Sequence, residues 1–265
     1  MKAYFIFFLF LFPVACKQKE KTADSQVPVI PEAVQKLYDE VAKYPDSTAL
    51  RIQLVNALDS AGAIKRALAQ MDSLIARDSN NFGIWFHKAQ LSEKAGDTIA
   101  ALGAYDKAAR IYPSPDALLS MANLYAEKKD AKAVMLCDEV EQLRLGREYL
   151  AHCSFIKGVY YARTGELVKA FASFDRCIAN DYQYMEAYME KGFLFFDTKQ
   201  VDKAIAIFEK ATEIRATYAD AFYWIGKCYE LKKDDEKAIN QYHHALVLDP
   251  SIKEADEALK RLGAK

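Results

Sequence analysis

The chain has 265 residues, of which 52% are hydrophobic and 28% charged, and its formal net charge at pH 7 is −1. Basic and acidic residues are interleaved, so there is no strongly basic surface that would neutralise the phosphates of a nucleic acid. Only ten glycines and seven prolines occur, which favours helices over a fold with many tight turns.

The first fifteen residues are typical of an export signal. Lys2 precedes an uninterrupted apolar run over residues 3–12. A helix over residues 3–15 would be about 20 Å long, which is short against roughly 30 Å of bilayer hydrocarbon. The sequence PVAC at residues 13–16 resembles the end of a bacterial lipoprotein signal, which implies that Cys16 becomes a lipidated N-terminus. The alternative is a plain secretory signal that is cut nearby.

Residues 16–31 are polar, charged and interrupted by proline. We predict that they form a flexible tether, which lifts the folded part of the chain off a membrane. The lipoprotein resemblance implies an exported, lipid-anchored protein of the bacterial cell envelope. Because Lys17 does not resemble the acidic retention signal of some inner-membrane lipoproteins, the analogy favours the outer membrane.

Small and aromatic residues recur at a spacing of 34 in the second half of the chain, and weaker copies of the pattern lie upstream. Internal repeats of this length indicate a solenoid of stacked helix pairs. We expect the small residues where two helices approach closely, and the aromatic residues in the wedge between one pair and the next. The clearest recurring positions are Gly158, Gly192 and Gly226, then Ala170, Ala204 and Ala238, then Phe174, Phe208 and Tyr242.

This pattern resembles the tetratricopeptide repeat, a unit of two antiparallel helices. The last unit matches nearly throughout, with Phe222, Ile225, Gly226, Tyr229, Ala238, Tyr242, Ala245 and Pro250. The resemblance implies an all-α, right-handed α-solenoid superhelix of about six helix pairs over residues 32–265. In chain order we predict a half unit at 32–47, units at 48–81, 82–114, 115–150, 151–184, 185–218 and 219–252, and a capping helix at 252–262.

The third predicted unit departs from the pattern. Ala133 comes one residue early, and the stretch from Glu141 to Leu150, which contains Gly146, makes up the length. We therefore expect a longer loop near residues 144–147. It is either a harmless surface insertion or a change in superhelix pitch between the first three units and the last three.

No set of residues indicates an enzyme, so we predict no catalytic residue, no metal and no cofactor. The histidines lack metal-binding spacing and are expected on the solvated surface, and the cysteines after Cys16 lack the Cys-x-x-Cys spacing of zinc and redox sites. No glycine-rich phosphate loop and no Gly-x-Ser-x-Gly motif occurs. These histidines and cysteines are His87, His152, His243 and His244, and Cys137, Cys153, Cys177 and Cys228.

In the tetratricopeptide family the first helix of each unit lines a concave groove, and its fifth and ninth residues usually contact the ligand. The resemblance therefore implies a set of peptide-binding residues. Its larger apolar members are expected to remain exposed to the groove, namely Phe86, Phe155, Met189, Phe193, Phe196 and Tyr223. Asn56, Gln90 and Asn123 form a series of amides suited to an extended peptide, and the apolar stretch from Phe155 to Tyr223 suits an amphipathic helix. The complete set is Asn56, Phe86, Gln90, Leu119, Asn123, Phe155, Val159, Met189, Phe193, Phe196, Tyr223 and Lys227.

The resulting functional hypothesis is a non-enzymatic, membrane-tethered scaffold that binds a protein or peptide partner and helps to assemble a larger machine. Two alternatives remain open. One is a structural subunit that assembles with copies of itself, and the other is an enzyme or carbohydrate-binding protein whose site lies in the groove.

Overall fold

The computed structural model describes residues 31–264, which form fourteen α-helices and no β-strand. The predicted export signal, Cys16 and the tether up to residue 30 lie outside the described residues. The helices are α1 (Glu32–Lys43), α2 (Thr48–Ser60), α3 (Ile64–Ile75), α4 (Phe82–Lys94), α5 (Thr98–Ile111), α6 (Pro115–Glu127), α7 (Lys132–Gln142), α8 (Arg147–Thr164), α9 (Leu167–Asn180), α10 (Met185–Asp197), α11 (Val201–Ile214), α12 (Ala219–Leu231), α13 (Asp235–Leu248) and α14 (Lys253–Arg261).

The helices stack as a linear array, which confirms the predicted helical solenoid. Each helix from α2 onward packs against its neighbours in the chain, so α2 pairs with α3, α4 with α5, and so on to α12 with α13. Helix α1 packs against α2 at one end, and α14 packs against α13 at the other. The core is accordingly a series of five clusters along the array, as expected when each repeat contacts only its neighbours.

Local sequence signals set where several helices begin and end. The side chains of Ser47, Asn81, Asp97 and Asp234 each accept a hydrogen bond from the backbone N–H three residues on, which caps α2, α4, α5 and α13. Helix α8 ends at Gly165, whose φ of 82° a residue with a side chain adopts only at a cost. None of the helices between residues 31 and 264 is both long and apolar enough to cross a bilayer.

The recurring glycines provide space for the recurring rings. A Cβ atom added to Gly158 would lie 2.5 Å from the Phe174 ring, and one added to Gly226 would lie 2.7 Å from the Tyr242 ring. The same clash would occur between Gly192 and Phe208. Each ring therefore packs over the glycine of its own helix pair, a contact that the spacing alone did not identify.

The prediction of a longer loop in the irregular third unit is wrong: its connection to α8 is as short as those between α9 and α10 and between α11 and α12, and the additional residues lengthen α8 instead. Helix α7 ends at Gln142, and four residues, 143–146, separate it from α8. Arg144 and Gly146 adopt positive φ angles of 54° and 111° in this connection. Helix α8 then begins at Arg147, is 18 residues long, and contacts both α6 and α10.

Candidate protein-binding groove

The first helices of successive pairs form one continuous surface. Helix α8 lies beside both α6 and α10, and two open clefts lie on this surface. The aromatic cleft lies among α8, α10 and α12, and the polar cleft lies among α4, α6 and α8. Phe155 of α8 lines both clefts, and we refer to the two together as the groove.

The aromatic cleft has a volume of about 350 Å³. Its inner surface is apolar and its edge carries carboxylates, which come from the first two turns of α10 and α12. A concave site of this size, with apolar walls and a few polar groups, is typical of a binding pocket. The cleft is lined by Phe155, Met189, Phe193, Tyr218 and Trp224, together with Glu186, Glu190 and Asp220.

Contacts between rings fix the walls of the aromatic cleft. The ring centroids of Phe193 and Trp224 are 4.6 Å apart, and Phe196 meets Trp224 edge to face at 5.3 Å. Phe155 lies 5.0 Å from the ring of Tyr184. Because these rings are held by their neighbours, a ligand would bind without first ordering them.

The carboxylates of the aromatic cleft are only partly neutralised. Glu190 pairs with Arg163 of α8, whose Nη1 lies 3.1 Å from a Glu190 oxygen, and Arg163 also pairs with Glu127 of α6 at 3.0 Å. These hydrogen bonds, led by the one to Glu190, hold the pKa of Arg163 above its usual value. Within residues 31–264, Glu186 and Asp220 have no ion-pair partner within 4.0 Å and remain as uncompensated charges.

The polar cleft is smaller, at about 300 Å³. The Tyr105 hydroxyl donates a hydrogen bond of 2.7 Å to Glu93, and the Tyr149 hydroxyl donates one of 3.4 Å to Asp116. Burial by the surrounding protein lowers the pKa of His152, and the nearby carboxylates, Asp116 first, act in the opposite direction. The lining residues are Glu93, Asp116, Leu119, Ser120, Asn123, His152 and Phe155.

Five of the twelve predicted peptide-binding residues line the groove: Leu119, Asn123, Phe155, Met189 and Phe193. Gln90 lines a separate cleft of about 190 Å³ with Asp59, His87, Leu91 and Lys94. Asn56 is exposed and lines neither cleft, so the three predicted amides do not share one cleft. Phe86, Phe196, Tyr223 and Lys227 are half-buried outside both clefts.

Three of the predicted residues are almost completely buried, so they offer little surface to a partner. Leu119, Val159 and Met189 are 3%, 2% and 5% exposed. The expectation that Met189 is an exposed groove residue is therefore wrong, and Leu119 and Val159 are likewise core residues. The reason is that Leu119 and Val159 belong to the core cluster that joins α6, α8 and their neighbours, and Met189 belongs to the cluster of α10, α11 and α12.

The charged edge of the groove and part of its aromatic wall are not among the predicted site residues. Glu186 and Asp220 are 34 residues apart and each is the second residue of its predicted unit, so their recurrence was a usable signal. His152 was expected to be a solvated surface residue, and it lies exposed in the polar cleft. The other residues that were missed are Tyr218, Trp224 and Glu190.

Residues 31–264 contain neither an accessible thiol nor a cluster of metal-binding side chains. The four cysteines of the described chain are buried, and burial raises the pKa of Cys177 and Cys228 to about 12. These thiols are protonated at neutral pH and inaccessible. Residues 31–264 contain no group of three or more His, Cys, Asp or Glu side chains that could hold a metal ion.

The stacked pairs and the groove define a helical-repeat solenoid. Family models of the tetratricopeptide repeat match residues 52–132, 186–218 and 219–252. The chain is therefore a tetratricopeptide-repeat protein, and no catalytic family is among these matches. Repeats of this family generally serve as non-enzymatic scaffolds for protein–protein interaction.

Known proteins show the same fold. A tetratricopeptide repeat protein from Parabacteroides merdae is 19% identical with a TM-score of 0.71, over 87% of this chain and 91% of that one. PilW, a type IV pilus biogenesis factor, is 17% identical with a TM-score of 0.66, over 79% and 97%. Mouse tetratricopeptide repeat protein 14 is 32% identical over 114 residues, or 40% of this chain and 15% of that protein.

These similarities establish the fold and leave the activity open. The chain spans between 15% and 25% of the length of the curated relatives that it matches. The similarity to the two solved structures is below 20% identity, so the roles of those proteins are not transferred by it.

Proposed function

We propose that this protein is a non-enzymatic scaffold that binds a segment of a partner protein in the groove. The observation that carries the proposal is the aromatic cleft, in which half-buried Phe155, Phe193 and Trp224 remain open to solvent. Exposed apolar surface of this kind usually marks a site of protein interaction. An amphipathic helix or an extended apolar segment would cover it.

We further propose that the scaffold is attached to the bacterial cell envelope through a lipid on Cys16, with the outer membrane as the favoured location. The support is the sequence of residues 1–16, with its apolar run and its cysteine. In this arrangement residues 17–30 link the anchor to α1.

Photo-crosslinking in the cell that carries the protein tests the proposed function. A photoreactive amino acid replaces His152 or Phe155 in the groove, and in matched controls it replaces Ile99 or Val168. These controls are 79% and 84% exposed and lie on the second helices α5 and α9. We expect adducts with a partner protein from the groove positions and little from the controls.

Two results would count against the scaffold. Adducts that form only from Ile99 and Val168 would place the binding surface on the second helices. Adducts from His152 and Phe155 that have the mass of two copies of this chain would favour the structural subunit that assembles with itself.

A further inference from the structure

We propose that the aromatic cleft accepts a lysine or arginine side chain, so that the partner segment is amphipathic and basic. This inference rests on the proposed function of the groove and adds the chemistry of the partner. It excludes acidic segments as partners. A purely apolar groove would bind basic and acidic amphipathic helices alike, whereas this cleft should bind only the basic ones.

The first support is the charge of the cleft. Glu186 and Asp220 stand at its edge without an ion-pair partner among residues 31–264, whereas Arg163 already neutralises Glu190. The surrounding walls are apolar and half-buried, so the two carboxylates interact with a bound charge more strongly than they would in bulk water. A cation fits this site, and an anion is repelled by it.

The second support is the aromatic wall. A cation over an aromatic face is attracted by the ring, and tryptophan is the best of the aromatic residues for this contact. The chain uses the same contact internally: Lys88 lies 5.5 Å from the Trp85 ring, and at one end of the cleft Arg215 lies 5.5 Å from the Tyr218 ring. Among residues 31–264, no lysine or arginine lies over the half-buried Trp224 ring, which packs against Phe193 and Phe196 in the wall of the cleft.

The third support is the continuity of the groove. The polar cleft adjoins the aromatic cleft at Phe155 and adds Asp116 and Glu93 to the carboxylates. Tyr149 and Tyr105 each donate a hydrogen bond to one of these carboxylates, which leaves the negative charge in place. A segment that crosses both clefts therefore meets carboxylates on either side of an aromatic centre, which selects for several basic residues around apolar ones.

Fluorescence anisotropy with two labelled peptides tests the inference on the full chain. One peptide is a 20-residue amphipathic helix of leucine and lysine, and the other has glutamate in place of every lysine. The groove variant carries Glu186→Gln and Asp220→Asn, two substitutions that preserve shape. The control variant carries Asp235→Asn and Glu236→Gln, which lie in the first turn of α13.

The control is matched because both variants change the net charge of the chain by the same amount, and both remove two acidic residues from first helical turns. At about 0.15 M salt, where distant charges are screened, we expect the lysine peptide to bind the wild-type chain. Its affinity should fall about fivefold or more in the groove variant and by less than about twofold in the control. The glutamate peptide should bind none of the three proteins.

Equal losses in the two variants would overturn the inference, because the attraction would then be unspecific. Binding of the glutamate peptide as tight as that of the lysine peptide would overturn it as well. If either result occurs while crosslinks from His152 persist, the groove still binds a partner and only its assigned chemistry is wrong. Loss of the groove crosslinks would instead contradict the proposed function itself.

Discussion

At the level of single residues, the repeat can be recognised in the sequence because a small residue on the first helix of a pair faces a large ring on the second helix. In α10 and α11 these residues are Gly192 and Phe208. Glycine and aromatic residues recur together because Gly192 leaves the space that the Phe208 ring fills. The ring position also matches a polar or apolar residue on the first helix. Where the ring is Tyr242, the residue twelve positions earlier is Glu230, which accepts its hydroxyl at 2.7 Å. Where the ring is Phe208, that earlier residue is Phe196.

Replacing Gly192 with alanine tests the space-filling role of the glycine. The new Cβ would meet a fully buried ring, so Gly192→Ala should lower the free energy of unfolding by about 1–3 kcal/mol. Gly103 on α5 has no atom within 4 Å of an added Cβ, so Gly103→Ala should raise it by about 0.5–1 kcal/mol. Urea unfolding measures both. Equal changes in the two variants would contradict the role assigned to Gly192.

At the level of helices, one carboxylate connects the last three helices, in addition to the apolar contacts between α13 and α14. Glu230 of α12 accepts hydrogen bonds from Tyr242 of α13 and, at 2.8 Å, from Arg261 of α14. Burial opposes ionisation of Glu230, but the hydrogen bonds from Tyr242 and Arg261 outweigh it and hold its pKa below the usual value. The hydrogen bond from Arg261 thereby links α14 to the last repeat.

The lowered pKa of Glu230 makes this link dependent on pH. A carboxylate whose folded-state pKa lies below its unfolded value, about 4.3, stabilises the fold above that pH, and the contribution disappears as the pH falls through the folded-state pKa. At pH 7 Glu230→Gln should therefore cost about 1 kcal/mol in urea unfolding. The difference from wild type should shrink below about pH 4. A difference that stays constant between pH 7 and pH 3 would contradict the assignment.

The helices themselves were predictable, but the charged edge of the groove was not. Repeat spacing identifies a unit because residues such as Gly226 and Tyr242 face each other inside it. Glu186 and Asp220 lie in first turns, where an acidic residue also stabilises the helix dipole, so their recurrence has an explanation that needs no site. Burial of Met189 depends on how closely neighbouring pairs pack, which one helix's sequence does not specify.

At the scale of the whole molecule, a net charge of −1 conceals an uneven distribution of charge. Basic residues form ion pairs along the array, as Lys157 does with Asp138 at 2.6 Å and with Glu141 at 2.9 Å. Among residues 31–264, Glu186 and Asp220 of the groove have no such partner within 4.0 Å. Composition averages over all surfaces, so it gives no indication of an acidic groove.

We propose that the first helices of the pairs, and not the second helices, form the binding surface. Hydrogen exchange of the full chain, alone and saturated with the partner recovered by crosslinking, measures this directly. We predict slower amide exchange in α8, α10 and α12 when the partner is bound, with α9, α11 and α13 unchanged. Slower exchange confined to the second helices, or spread evenly over the array, would contradict the claim.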